Sequence, residues 1–412
     1  MQIVVIGGGA SGMAAAIAAK TADPSSRVII LEKKERVGKK ILATGNGRCN
    51  LSNRDLSLCH FHGSCAVLVP AVFAEMGPEE TESFWNGLGI EYRELEEGKV
   101  FPYSLQASSV LDALRFELER LGVELLTDAK VQSIVRRAKG FELSVFCEEK
   151  TRALRADRVI LAAGGAASPK LGSAGEGAKL AKGLGLAVSE LRPALCRLLS
   201  RDPELRNLAG VKQEGRAVLW DGEKEIARED GEILFTQEGL SGPPILRLSR
   251  AAGDLLAEGK KAEIRLDLFP EYAQGVLFAK LTERFGRLSH LSAQDALGGF
   301  VHKKVAVSAL KRAGIAPGSP AAGLGKKEAG SLAALLKGFA FSVTAPDGFE
   351  EAQVTAGGVL ANELTPGLES RKVPGLFLCG EVLDLDGDCG GYNLQWAVSS
   401  GIVAGRNAAA AE

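Results

Sequence analysis

The chain has 412 residues, 46% hydrophobic and 25% charged, and its 50 basic and 51 acidic side chains leave a net charge of −1. That length supports two or three domains with a core large enough to enclose a cofactor, and the even charge balance argues against a nucleic-acid or anionic-membrane partner. Seven cysteines without a C-x-x-C pair exclude a redox disulfide, and with neither a signal-peptide pattern nor a membrane-length apolar run they point to a cytoplasmic protein.

Residues 3–6 read as a short, fully apolar strand. Gly7, Gly9 and Gly12 then form a G-x-G-x-x-G turn, and a helix of small residues is predicted over 13–20. In this pattern the first glycine permits the turn, the second lets the backbone approach a pyrophosphate, and the third allows close helix packing. The next strand is predicted over 27–31, with Glu32 at its end, 20 positions beyond Gly12 (32 minus 12). That is the spacing of a carboxylate for the adenosine ribose. Ser11 suits either a phosphate contact or a helix cap.

The segment GKKILATGNGRCNLSN, residues 38–53, is dense in donors, including Lys40, Thr44, Arg48 and Asn50. Such a loop beside a nucleotide site is expected to bind pyrophosphate and the polar edge of a ring. Cys49 within it reads as a packed small side chain in preference to a catalytic thiol. His60 and His62 are expected to be exposed in a polar loop. With His290 and His302 they offer no metal spacing and no Ser/His/Asp order.

A helix is predicted over 109–121, a strand-like segment over 123–135, and further strands over 141–147 and 157–163. AAGGAASPKLGSAGEG, residues 162–177, is a second glycine loop, entering a helix near Glu176. It has no acid-capped strand of its own, so no dedicated NAD(P) domain is expected. The character changes at Arg192 and Pro193. Strand-like stretches at 217–220, 232–235, 262–268 and 340–343 surround amphipathic helices within 272–336. The glycine-rich style returns at Val354. In the late run GLFLCGEVLDLDGDCGGYNLQWAVSSG, residues 375–379 read as a strand, and Glu381 at its end is suited to accept a ribityl hydroxyl. Gly390 and Gly391 open a helix near Tyr392. Asp384, Asp386 and Asp388 lack the late bidentate Glu of a calcium loop, so no metal is expected.

Two helix N-termini, one near each end of the chain, thus present bare amides. If they meet in space they can grip one long dinucleotide at its pyrophosphate and at its ring, which is how FAD is held. The expected fold is α/β: a Rossmann-like FAD-binding domain, discontinuous over 1–190 and 346–412. It is interrupted at 191–345 by an insertion on the substrate side, with a β-barrel-like part (191–270 and 338–345) and a helical part (271–337).

Seven blocks in fixed order carry a resemblance: IGGGASGMAAAIAA, GKKILATGNGRCNLSN, FPYSLQASSVLDAL, AAGGAASPKLGSAGEG, LFTQEGLSGPPIL, VTAGGVLANEL and CGEVLDLDGDCGGYNLQWAVSSG. In these, and over essentially its whole length, the chain resembles the bacterial flavoprotein family that includes aminoacetone oxidase and the bile-acid-inducible reductase BaiN. The resemblance implies FAD contacts at Gly7, Gly9, Ala10, Ser11, Gly12, Glu32, Lys33, Lys40, Thr44, Gly45, Gly47, Arg48, Cys49 and Asn50. It adds Val131 (backbone to adenine), Ala163, Gly164, Gly165, Gly380, Glu381, Gly391, Tyr392, Asn393 and Leu394. Val131 follows from the resemblance alone.

The expected activity is that of an FAD-dependent oxidoreductase with a small-molecule substrate. It takes hydride from transiently bound NAD(P)H and reduces an activated C=C bond of an apolar, steroid-like enone. An FAD-dependent small-amine oxidase releasing peroxide is the alternative, and a flavin-containing nucleic-acid-binding or sensor protein is a third. Tyr103, Tyr392 or a cysteine are the available proton donors, and the sequence singles out none.

Overall fold

The computed structural model describes residues 1–222 and 224–410. It consists of two compact units, Met1–Pro193 with Gln353–Glu412, and Ala194–Ala352.

The first unit is built on a five-stranded parallel sheet. Its strand order is Leu376–Leu378, Arg158–Leu161, Gln2–Ile6, Arg27–Leu31, Glu124–Leu126. Val4 pairs with Val159 on one side and Ile29 on the other. Ile3–Ile6, Val28–Leu31, Val159–Leu161 and Leu376–Leu378 are unbroken apolar, buried runs because both faces of the sheet are covered there, whereas the edge strand Glu124–Leu126 is exposed. The helix Ala10–Ala22 buries Ser11 to Ala19. Its small side chains let the last helix, Tyr392–Ala410, lie almost backbone to backbone against it. A methyl group built on Gly401 would stand 2.4 Å from Ser11 O, and one on Gly405 would stand 2.2 Å from Ala15 O. Those two glycines join the two ends of the chain.

The segment expected as one strand over 123–135 is two. Glu124–Leu126 completes the parallel sheet, and Lys130–Arg136 joins an antiparallel meander with Phe141–Cys147 and Lys150–Ala156. Asp128 between them takes a left-handed φ of 50°, and its amide turns to Lys34 O. A strand cannot continue through that conformation.

The second unit holds a seven-stranded sheet in the order Phe339–Val343, Ala262–Asp267, Lys212–Asp221, Lys224–Phe235, Gly239–Ser241, Leu198–Leu199, Ala345–Pro346. Its first and last members are separated only by Thr344, whose amide donates to Leu199 O, so the single segment 339–346 pairs with Ala262–Asp267 through its first half and with Leu198–Leu199 through its second, closing the sheet on itself as the expected barrel-like part. A 15-residue helix, Pro243–Ala257, lies inside the stretch expected to be β-rich. Pro243 and Pro244 occupy its first turn, where a missing amide costs nothing, and Ile245, Leu248, Ala252 and Leu255 bury one face. Helices Gln274–Arg287, Lys303–Arg312 and Lys326–Leu336 complete the unit around buried Phe235, Phe285, Phe339 and Phe341. Among the described residues, no helix is long and apolar enough to cross a membrane.

Candidate functional site

The three glycines of the opening turn differ in what surrounds them. A methyl group on Gly7 would lie 2.4 Å from Ala162 O, and one on Gly12 would lie 1.9 Å from Gly7 O. Neither position has room for a side chain. Gly9 has extended φ and ψ of −81° and −173° and caps helix Ala10–Ala22 without any side-chain hydrogen bond. No atom lies within 4 Å of where its Cβ would stand. The result is an open face over a helix start whose first amides lack helical acceptors, the setting that binds an anionic group. Ser11, one residue on, is buried and faces Gly380, whose added methyl would meet Ser11 Oγ at 2.4 Å. It does not cap the helix, and it brings the late glycine segment against the first.

Gly7, Glu32, Lys33, Val131 and Ala163 line one open cleft, together with Gly172 and Glu176. The Glu32 carboxylate accepts the Gly8 amide on Oε2 and the Lys34 amide on Oε1, each at 2.8 Å. Both bonds fix its orientation and leave lone pairs for a further donor. Lys33 Nζ pairs with Glu176 Oε1 at 2.5 Å. Burial opposes the charge of Glu176, but the Lys33 hydrogen bond and charge together with the backbone amides of Glu176 and Ala174 outweigh it and keep the carboxyl below its ordinary range. Lys33 therefore enters the cleft as half of an ion pair. Val131 sits beside a bulge in Lys130–Arg136, where the pairing register shifts.

The second group of expected residues lies on the 40–50 segment and the late glycine run. Lys40 Nζ meets Glu381 Oε2 at 2.8 Å, and Glu381 Oε1 accepts the Thr355 amide at 2.7 Å. Glu381 is thus an anchored carboxylate with two partners. Thr355, fully buried, accepts the amides of Ala166 and Ala167 on Oγ1 at 2.8 and 2.9 Å. It fastens the loop of Ala163, Gly164 and Gly165 to Glu381. No sequence signal marked Thr355; it was visible only inside the VTAGG block. Thr44 Oγ1 donates to Ile41 O. Gly45, Gly47 and Cys49 all take left-handed φ. Arg48 is exposed, its guanidinium 5.1 Å from the Phe101 ring centre. Asn50 Oδ1 is buried without a partner and points at Gly391, where a methyl would stand 2.8 Å from it and 2.2 Å from Ser52 O. Gly391, at φ 104°, and Gly380, at φ 74°, need the freedom of glycine. Asn393 holds its own loop, exchanging bonds with Gly387 N and O. Gln395 N is the first amide of the last helix to find a helical acceptor, Gly391 O. Those of Tyr392, Asn393 and Leu394 precede it.

The two buried thiols nearest these loops are poorly nucleophilic. Burial pushes Cys49 up to about 11 and Cys379 up to about 12, because a dry site penalises the thiolate. Cys49→Ala is therefore expected to keep turnover, and brief alkylation of the folded protein is expected to modify exposed Cys59 ahead of Cys49 and Cys379. Peptide mapping by mass spectrometry checks this.

His60 and His62 are not the free, exposed side chains the sequence suggested. The pairing of Phe61–His62 with Asp386–Gly387 carries both to Asp388. His60 Nδ1 meets Asp388 Oδ2 at 2.9 Å and His62 Nε2 meets Asp388 Oδ1 at 2.8 Å. His60 Nε2 also reaches Asp55 Oδ2 at 3.2 Å, and its ring stacks on Tyr392 at 4.5 Å. Burial disfavours the His60 cation, but hydrogen bonds to Asp388 and Asp55 outweigh it and raise its pKa. Burial likewise opposes the Asp388 anion, yet His62 and His60 hold it below the ordinary carboxylate range. Burial, then the charges of Asp55 and Asp388, pushes Tyr392 up to about 12, so its hydroxyl keeps its proton. Tyr103 is exposed and lies under Arg93. Asp384 accepts the Ser64 amide.

Comparison with known proteins agrees with this architecture. The family described as HI0933-like protein Rossmann domain matches residues 1–407. A 3-dehydro-bile acid delta(4,6)-reductase of Clostridium scindens is 39% identical over 409 residues, 99% of both chains. A ribosomal RNA dihydrouridine synthase of Escherichia coli is 29% identical over 403 residues, 96% of this chain and 95% of that one. Among solved structures, a 3-ketosteroid delta1-dehydrogenase from Sterolibacterium denitrificans shares the fold with a TM-score of 0.53 at 13% identity, covering 100% of this chain and 99% of that one. An E. coli quinol fumarate reductase gives 0.52 at 16% identity, covering 99% and 70%.

Proposed function

The chain belongs to the HI0933-like Rossmann family, and from that membership we propose that it is an FAD-dependent reductase. Its substrate in this reading is a C=C bond conjugated to a carbonyl in an apolar, steroid-like small molecule. The observation that carries this is the 39% identity, end to end, with a reductase named for removing such bonds from a bile acid. The residues present fit FAD. Gly9 leaves open space over uncapped amides, Asn50 Oδ1 waits buried without a donor, and the cleft at Glu32 and Val131 suits an adenosine. When bound and reduced, FAD supplies the hydride. The amides after Gly9 hold the pyrophosphate charge, and Glu32 orients the ribose. The amides from Tyr392 to Leu394 would hold the pyrimidine end of the ring, and the dipole of their helix end would favour negative charge there.

NAD(P)H is the proposed electron donor, visiting the flavin transiently because the chain has no second acid-capped glycine motif. A cytoplasmic setting suits the protein, since none of the seven cysteines forms a disulfide. Under anaerobic conditions NADPH or NADH is expected to bleach the flavin, and a 3-oxo-Δ4 steroid to restore its colour with a saturated product. A flavin that stays yellow with both nucleotides would overturn the donor assignment. Bleaching by small amines with peroxide release in air would instead establish the oxidase alternative.

A second reading keeps the chemistry and changes the substrate. Relatives from two bacteria are named ribosomal RNA dihydrouridine synthases, and uridine also carries a C=C bond conjugated to a carbonyl. The higher identity lies with the bile-acid enzyme. Dihydrouridine counted by mass spectrometry in ribosomal RNA of a deletion strain separates the two.

A further inference from the structure

Neither the proposed chemistry nor the expected FAD contacts use the ladder Asp55–His60–Asp388–His62. It is the densest group of titratable side chains beside the last glycine loop. Asp388 and Tyr392 bracket Cys389, Gly390 and Gly391, and His60 grips both, one by hydrogen bond and one by stacking. A third tie runs through the backbone, where Asp388 N donates to His60 O at 3.0 Å. Across the loop, Asn53 Nδ2 donates to Gly390 O at 3.1 Å. Gly390 and Gly391, at φ 146° and 104°, have no intrinsic preference for this shape. Something outside the loop must hold it.

We propose that His60 is a positioning residue for the cofactor, clamping the 387–392 loop so that the grip on FAD follows the charge of His60. This rests on the reading of that loop as the flavin's pyrimidine-edge site. The charged ring donates from both nitrogens, one to Asp388 and one to Asp55. The neutral ring has a single N–H and must leave one carboxylate unbridged. The groups facing His60 are Asp55 on the preceding loop, Asp388 and Tyr392 on the clamped loop and helix, and His62 through Asp388; Cys59 and Glu97 approach Tyr392. Asp55 and Asp388 are both held below the ordinary carboxylate range and stay anionic near neutrality, so the change of charge that reaches the loop directly is that of the His60 ring, which bridges both carboxylates.

The sign follows from linkage. If the bound loop favours the charged ring, FAD raises the pKa of His60. Affinity is then fully present below the pKa of the free protein and is lost as pH rises through that of the complex. Each unit of that difference is a tenfold change in Kd. The test is to strip flavin from the full-length protein and titrate it with FAD between about pH 6 and 9, reading the quenching of flavin fluorescence. Wild-type Kd is expected to weaken about tenfold across the range, with His60→Gln about tenfold weaker at the acid end and flat in pH. Asp388→Asn is expected to flatten the profile as well, and circular dichroism checks that both variants are folded. A role confined to packing would weaken binding equally at every pH. A flat wild-type profile, or a variant that keeps the wild-type slope, overturns the proposal while leaving the flavin reading intact. Failure of the wild type to bind FAD at any pH overturns both.

Discussion

Gly9→Val is expected to give a folded protein that binds FAD about 100-fold more weakly, about 2.7 kcal/mol of affinity. The backbone at Gly9 is extended, a conformation that any residue adopts, and a Cβ there meets nothing within 4 Å. The folded chain pays only the poorer helix cap, about 1 kcal/mol. The isopropyl group does fill the space where a pyrophosphate must approach the helix amides. Gly12→Ala is the contrasting substitution. Its methyl would stand 1.9 Å from Gly7 O, and backbone cannot move aside cheaply, so loss of soluble protein is expected. Equilibrium titration with FAD and a thermal melt on each variant separate these outcomes. Gly9→Val with wild-type affinity would remove the basis for placing the pyrophosphate here.

Thr355→Val is expected to destabilise the protein by about 2–6 kcal/mol, because two buried amides lose their acceptor at about 1–3 kcal/mol each. Valine matches threonine in shape, so the effect isolates the hydroxyl. Oγ1 receives Ala166 N and Ala167 N in a fully buried position, where no water is at hand to replace it. The loss is large against a total stability of about 5–15 kcal/mol. Thr355→Ser is expected to recover most of it. Denaturant unfolding should show a lower midpoint at unchanged slope. An unchanged midpoint would mean that the Ala163–Gly165 loop is held by something other than Thr355.

The parts of the site that were legible in the sequence are those encoded by local chemistry. Gly7, Gly12 and Glu32 follow from a strand, a turn and a helix within 32 residues, and their geometry has few solutions. The parts that were not legible join distant positions. Lys40 and Glu381 are 341 residues apart, Lys33 and Glu176 are 143, and His62 and Asp388 are 326. Each partner alone is an ordinary surface-type residue, so His60 and His62 read as exposed. The helix Pro243–Ala257 was hidden for another reason: its two prolines look like breakers until they are seen in the first turn. The break at Asp128 depends on a backbone conformation that no composition rule marks.

By itself the amino-acid order determined that this is an α/β protein with a glycine loop opening a helix near each end, since hydrophobic period and glycine spacing act over a few residues at a time. The tertiary structure decided which charges meet, which polar atoms are buried, and how the two ends close on each other through Gly401 and Gly405. The physical reason is that burial and ion pairing depend on distances in space, and the chain sets those only after its sheet and helices have packed.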